Sequence, residues 1–238
     1  MNIDLPITIY PQPDDTTCGP TCLHAVYQYY GEKDSLEAVI NTTHTLEDGG
    51  TLAVFLANAA LRRGYRAVMY TYNLEVFDPS WFAPGVDLSD RLRQQAAIKQ
   101  NPRLQHATEG YLEFLELGGQ LRFSDLNRGL LRGILRRRLP ILTGLSATYL
   151  YRSARVYGVD EDFDDLRGEP SGHFVILAGY HSEDRSVLIA DPYLPNPVAD
   201  GHFYAVNIDR VICSIMLGVL THDANLLIIQ PAGASQPV

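Results

Sequence analysis

The first hydrophobic pattern along the chain has the period of a helix. From residue 22, apolar and aromatic side chains recur at intervals of four, three and one, at Cys22, Val26, Tyr29 and Tyr30. This spacing predicts a helix over 19–30 with one buried face, and Gly31 follows as its stop. A second helix is predicted over 51–62, ended by Gly64.

Strand patterns dominate the C-terminal half. The apolar runs HFVILAGY (173–180) and SVLIADPY (186–193) flank the polar turn HSEDR, which predicts a β-hairpin. The other predicted elements are helices over 88–102 (with Pro102 at its end), 124–138 (capped by Ser124) and 208–220, and strands over 65–70, 140–147 and 225–231. Helices come first and strands cluster late, so the pattern predicts an α+β fold.

Composition and charge limit the kinds of binding partner and the cellular setting that the chain can have. The chain has 238 residues, 46% of them hydrophobic, enough for one large or two small domains. The formal charge is −9, which argues against a nucleic-acid partner. No stretch reaches the roughly 18 uncharged apolar residues of a membrane span. The start of the chain lacks a signal-peptide pattern and the three cysteines suggest no disulfide framework, so a reducing, cytoplasmic setting is expected.

Cys18 stands immediately before Gly19 and Pro20, at the predicted start of the first helix. A nucleophilic cysteine must be a thiolate, and a helix N-terminus favours the thiolate through its dipole and unpaired N–H groups. Such a nucleophile also needs a histidine that takes the proton and a polar group that orients the histidine.

The predicted hairpin offers that histidine and that polar group. His173 opens its first apolar run and Asp191 lies near the end of the second, so an antiparallel pairing brings them to one end of the sheet. Gln12 lies six residues before Cys18 (18 − 12), where its amide and the Cys18 backbone N–H could bind an oxyanion. The pattern alone does not place Cys18 relative to the hairpin.

This order of residues resembles the papain-like cysteine peptidases. It is more closely similar to the family that cleaves double-glycine leader peptides from bacteriocin precursors, and to the stand-alone relatives of that family. The resemblance rests on Gln12 and on three stretches, CGPTCL (18–23), HFVILAGY (173–180) and DP (191–192). It implies a papain-like α+β fold with an N-terminal helical lobe and a C-terminal antiparallel sheet.

The resemblance also implies roles for four residues. Cys18 would be the nucleophile, His173 the base, Asp191 the residue that orients the histidine and Gln12 the oxyanion donor. No cofactor and no metal is expected. Thr17 stands where the family usually has an aspartate.

The distance along the chain from Cys18 to His173, 155 residues (173 − 18), is longer than in the leader peptidases. We therefore expect a single domain over 1–230 with insertions at about 73–119 and 148–170, and a disordered tail at 231–238. Long loops before a catalytic strand often border the cleft, so the insertions are expected to line or cap the substrate groove.

The expected reaction is hydrolysis of a peptide or amide bond through a thioester acyl-enzyme, with a peptide or small amide as substrate. Two alternatives stay open. An acyltransferase or amidase could use the same Cys-His-Asp triad, because an amine can replace water. An inactive binding module could keep the fold without turnover.

The remaining cysteine and histidine positions have structural interpretations. Cys22 lies one turn beyond Cys18 on the apolar face and is predicted to be core. The other histidines show no metal-ligand spacing and are predicted to lie at the surface or in loops: His24, His44, His106, His181, His202 and His222.

Overall fold

The structure is a computed structural model that describes residues 2–46, 50–158, 162–221 and 223–233. Within these residues, helices and one large sheet pack around a common hydrophobic core, so the predicted α+β class is confirmed. Most of the tail predicted to be disordered, residues 234–238, lies outside the described residues.

The described residues contain a helix at each of the five predicted places and three further helices, over 36–42, 102–116 and 147–151, that were not predicted. In chain order they are α1 (Cys18–Tyr29), α2 (Leu36–Thr42), α3 (Ala53–Arg62), α4 (Leu88–Ile98), α5 (Pro102–Glu116), α6 (Arg128–Arg136), α7 (Ala147–Tyr151) and α8 (Ile208–Leu217). Two short 3-10 helices lie at Pro79–Phe82, before α4, and at Gly218–Thr221, after α8. Gly31 and Gly64 adopt φ of +93° and +85° just beyond α1 and α3, which confirms them as helix stops.

Two helix predictions are wrong in detail. The polar helix α4 ends at Ile98, and Pro102 begins α5 instead of ending α4. Proline has no N–H to leave unpaired, so it suits the first turn of a helix, and the Asn101 side chain caps α5. Helix α6 begins at Arg128 with Asn127 as its cap, so the cap predicted at Ser124 is wrong.

The strands are β1 (Asn2–Asp4), β2 (Tyr65–Thr71), β3 (Gln120–Arg122), β4 (Ile141–Ser146), β5 (Val156–Tyr157), β6 (Asp162–Phe163), β7 (Gly172–His181), β8 (Ser186–Ala190), β9 (Phe203–Asn207) and β10 (Asn225–Pro231). The large sheet has the order β3-β2-β10-β4-β7-β8-β9, with β1 also paired to β7. Only the β2–β3 pair of the described strands is parallel. The sheet therefore extends the expected C-terminal sheet with strands from the N-terminal half.

The hairpin β7–β8 fixes one end of the candidate site. Ile176 pairs with Ala190, so residue 191 leaves β8 close to the start of β7. Strand β7 lies between β4 and β8 in the interior of the sheet, which gives a side chain near its start a rigid support.

Helix α1 packs directly against this strand. Residues 19–27 are all buried, so the helix is enclosed by protein and the prediction of one buried face is wrong. Cys22 Sγ–H donates to the Phe174 carbonyl oxygen at 3.3 Å. A Cβ atom on Gly19 would lie 2.7 Å from Thr51 Cγ2 and 3.2 Å from Phe174 Cδ2. The close approach at Gly19 brings the start of α1 beside the start of β7.

Candidate active site

Cys18 is the first residue of α1 and is half-buried. Thr17 precedes the helix, but its hydroxyl donates to the Asp14 carbonyl oxygen at 3.1 Å and makes no capping hydrogen bond. The first N–H groups of a helix have no acceptor within the helix. Pro20 has no N–H and the Thr21 N–H donates to the Thr17 carbonyl oxygen at 3.0 Å, so the N–H groups of Cys18 and Gly19 are left for a ligand bound beside the thiol.

His173 lies in β7 with 9% of its surface exposed. Its Nε2–H donates to Asp191 Oδ1 at 2.8 Å, and its ring lines the same cleft as Cys18, close enough for the thiol to affect the pKa of His173. Because Nε2 is hydrogen-bonded to Asp191, Nδ1 is the ring nitrogen that remains to interact with the Cys18 thiol. The imidazole therefore lies between the thiol and the carboxylate.

The electrostatics favour a charged imidazole. Burial lowers the pKa of His173, but the charge and hydrogen bond of Asp191, together with those of Cys18, outweigh burial and raise it to about 10. A positively charged His173 beside Cys18 stabilises a thiolate there by direct attraction.

Asp191 is fully buried and its carboxylate accepts hydrogen bonds from four donors. Oδ1 accepts from His173 and from the Tyr193 backbone N–H at 2.9 Å. Oδ2 accepts from the hydroxyls of Tyr151 at 2.8 Å and Tyr204 at 2.5 Å. Burial pushes the pKa of Asp191 upward, but His173 and the hydrogen bonds from Tyr204 and the Tyr193 N–H lower it, so the carboxylate keeps its charge.

The two tyrosines were missed by the sequence analysis. Tyr204 lies in β9, where exposed and buried residues alternate over Phe203–Asn207, but Phe203, Tyr204, Ala205 and Val206 are all apolar or aromatic, so the sequence shows no period of two there. Tyr151 ends the short helix α7, inside the stretch taken as an insertion. Its contact with Asp191 joins residues 40 positions apart, and no local pattern signals it.

The backbone of Gln12 is hydrogen-bonded to the chain just beyond the end of the hairpin. Its N–H donates to the Pro192 carbonyl oxygen at 2.9 Å. Its side-chain Nε2 donates to the Asp14 carbonyl oxygen at 2.9 Å, while Oε1 is buried with no partner among the described residues. An amide nitrogen carries two hydrogens, so one Nε2–H of Gln12 is left for a ligand.

A first cleft of about 380 Å³ opens beside Cys18 and His173. Gly144 and Gly172 lie along it, and a Cβ on Gly172 would lie 2.7 Å from Thr221 Oγ1, which leaves no room for a side chain at that position. Asp223 lies in the same cleft, where burial raises its pKa to about 7.

A second cleft of about 360 Å³ lies on the Gln12 side of His173. Tyr151 and Tyr193 line it together with Phe163, whose ring is 65% exposed. The two clefts share four residues, which join them into one groove across the site: Asp15, Pro170, Gly172 and His173.

The two segments expected to be insertions both reach this groove. From 148–170, Tyr151, Val156 and Phe163 line the second cleft, and Pro170 lines both. From 73–119, Arg103 lines the first cleft. The boundaries of the insertions stay predictions.

The other cysteines lie outside the site. Cys22 is fully buried, as predicted, and burial raises the pKa of its thiol well above the ordinary value. Cys213 is exposed on α8. The surface placement predicted for His24 is wrong, because this residue is buried in α1 with Nε2 3.0 Å from the Asp34 carbonyl oxygen. His222 lies outside the described residues.

Within the described part of the chain, His, Cys, Asp and Glu side chains form no group of three or more that could hold a metal ion. The described helices include none that is both long enough and apolar enough to cross a membrane.

Comparisons with known proteins show similarity at the level of solved structures. No family model matches the chain, and no curated protein matches its sequence. One similar structure is the peptidase domain of Streptococcus ComA, a bi-functional ABC transporter involved in a quorum-sensing pathway. It is 15% identical, covers 94% of this chain and 98% of that chain, and has a TM-score of 0.43.

Two further structures are similar to a comparable degree. A double-glycine-motif protease from an AMS/PCAT transporter, solved in complex with a leader peptide, is 14% identical over 96% of this chain and 94% of that chain, with a TM-score of 0.45. Xylellain, a cysteine protease from Xylella fastidiosa, is 16% identical over 96% of this chain and 85% of that chain, with a TM-score of 0.46. These likenesses concern the fold.

Proposed function

We propose that the chain is a papain-like cysteine peptidase that hydrolyses a peptide bond through a thioester on Cys18. One observation carries the proposal. His173 donates to Asp191 through Nε2 and lines, together with Cys18, the cleft at the N-terminus of α1, so Nδ1 is left to act on the thiol. This is the geometry of an activated nucleophile, its base and the group that orients the base.

In the first half of the reaction, the Cys18 thiolate attacks the carbonyl carbon of the scissile bond. The carbonyl oxygen gains negative charge, and the Cys18 backbone N–H and the second Nε2–H of Gln12 donate to it. As the tetrahedral intermediate collapses, the C–N bond breaks and His173 gives its proton to the leaving amine. The acyl group stays on Cys18 as a thioester.

In the second half, water replaces the amine. Neutral His173 takes a proton from the water, and the resulting hydroxide attacks the thioester carbonyl. The C–S bond breaks, the acid product leaves, and the proton held by His173 again pairs with the Cys18 thiolate. Asp191 keeps its charge throughout and stabilises the imidazolium whenever His173 carries the proton.

The shape of the groove favours an extended peptide as substrate. The cleft beside Gly144 and the cleft beside Phe163 meet at His173, so the groove offers contacts to more than one residue of a peptide. A small amide would fill one cleft alone.

The test compares two cysteines in the same helix. We expect turnover of a mixture of internally quenched peptides by the unchanged chain and by Cys22→Ala, and none by Cys18→Ala. Circular dichroism checks that each variant folds. Loss of turnover in folded Cys22→Ala together with full turnover in Cys18→Ala would contradict the proposal. Equal turnover in all three would also contradict it.

A further inference from the structure

Asp191 is an unusual group to find in the interior, because a charged carboxylate loses its hydration when it is fully buried. His173 contacts only Oδ1. The second oxygen, Oδ2, accepts hydrogen bonds from two phenol hydroxyls, at 2.8 Å and 2.5 Å. The hydroxyls reach it from separate elements, α7 and β9.

Two donors on Oδ2 have two effects. They replace the water that a carboxylate would otherwise bind, which stabilises the charged form. They also fix the rotation of the carboxylate, because turning it would break both bonds at once. Oδ1 is thereby held toward Nε2 of His173, and Nδ1 is held toward Cys18.

We propose that Tyr151 and Tyr204 are positioning residues that keep Asp191 ionised and turned toward His173. This inference rests on the proposed function, since the pair acts only through the imidazole. Without the two hydroxyls, the proton shared along the Asp191–His173 contact would pass more readily to the buried carboxylate. Neutral His173 would then no longer stabilise a Cys18 thiolate.

The direction of the pH effect follows from the hydrogen bonds. The pKa of Asp191 is lowered in the folded protein, so its support of His173 is present above that pKa and is lost as the pH falls through it. Each hydrogen bond to a charged group shifts the pKa of that group by about one unit or more. Removing one of the two tyrosine hydroxyls therefore raises the pH at which Asp191 is protonated and its support of His173 is lost.

The experiment measures alkylation of Cys18 by iodoacetamide between pH 4 and pH 9, on a Cys213→Ser background that removes the exposed thiol. The variants are Tyr151→Phe, Tyr204→Phe and the double variant. Tyr72→Phe is the matched control, because Tyr72 is a buried tyrosine whose hydroxyl has no hydrogen-bond partner among the described residues.

We expect the acid limb of the alkylation rate to move up by about one pH unit in each single variant and further in the double variant. Tyr72→Phe should leave it in place. Where peptide turnover is measurable, Tyr204→Phe should lower kcat by about 10-fold with little change in KM, because Tyr204 does not line the groove. An acid limb in Tyr204→Phe that superposes on that of Tyr72→Phe would overturn the inference.

Two features keep the test decisive. Alkylation needs no substrate, so a chain that hydrolyses no peptide can still confirm or refute the role of the tyrosines. If Tyr204→Phe does not fold, Tyr151→Phe decides alone, since Tyr151 is half-buried on the wall of the second cleft. An unshifted limb in folded Tyr151→Phe would then overturn the inference.

Discussion

Replacing Asp191 with asparagine removes one charge and keeps the shape of the site. The asparagine Oδ1 can still accept from His173 and Tyr193, and its Nδ2 can donate to a tyrosine hydroxyl that rotates to accept. The protein should therefore fold. What is lost is the negative charge 2.8 Å from Nε2 of His173.

The size of the effect follows from the pKa of His173. It stands at about 10 against an ordinary value of 6.5. One pKa unit corresponds to about 1.4 kcal/mol, so the surroundings stabilise the imidazolium by on the order of 5 kcal/mol, mostly through Asp191. Without that charge, burial dominates and His173 is neutral at pH 7.

The assay is alkylation of Cys18 at pH 6 on the Cys213→Ser background. A thiol with the ordinary pKa of about 8.5 is less than about 1% ionised at this pH, whereas a thiolate paired with an imidazolium is mostly ionised. Asp191→Asn should therefore slow alkylation at pH 6 by on the order of 100-fold. Alkylation at pH 6 within threefold of the unchanged chain, in a folded variant, would refute this reasoning.

Three further substitutions test separate parts of the account. Gln12→Ala should lower kcat by about 100-fold, as expected for loss of one oxyanion donor, and an unchanged kcat in steady-state assays would exclude that role. Phe163→Ala should raise KM for peptides while sparing kcat, because the exposed ring lines the second cleft; an equal KM would remove it from the binding surface. Gly19→Ala should destabilise the fold by about 1–3 kcal/mol in urea unfolding, because its Cβ would lie 2.7 Å from Thr51 Cγ2. Gly133→Ala, where a Cβ meets nothing within 4 Å, is the helical control and should not destabilise it.

The parts of the fold that were predicted correctly are those with local signals. The apolar period and Gly31 predicted α1 within one residue at each end, and the polar turn between two apolar runs predicted β7–β8. Proline gave an ambiguous signal, because it ends one helix pattern and also suits the first turn of the next. At Pro102 the second effect holds, and α5 was missed for that reason.

The candidate site divides in the same way. Cys18 was proposed from its place at a helix start, Gln12 from its spacing to Cys18, and His173 and Asp191 from the hairpin that brings them to one end of the sheet; the roles of all four stay predictions. Tyr151 and Tyr204 reach Asp191 from α7 and β9, and only the packed sheet brings them together. Their contacts are tertiary, so composition and periodicity carry no trace of them.

The proposed mechanism requires a covalent bond between Cys18 and the acyl part of the substrate. Incubation with a cleavable peptide mixture, an acid quench within the first turnovers and intact-mass measurement should detect the chain plus an acyl fragment. Peptide mapping should place that fragment on Cys18, and hydroxylamine should release it, as it does from a thioester. An acyl group mapped to any other residue, or peptide turnover that persists in folded Cys18→Ala, would contradict the account.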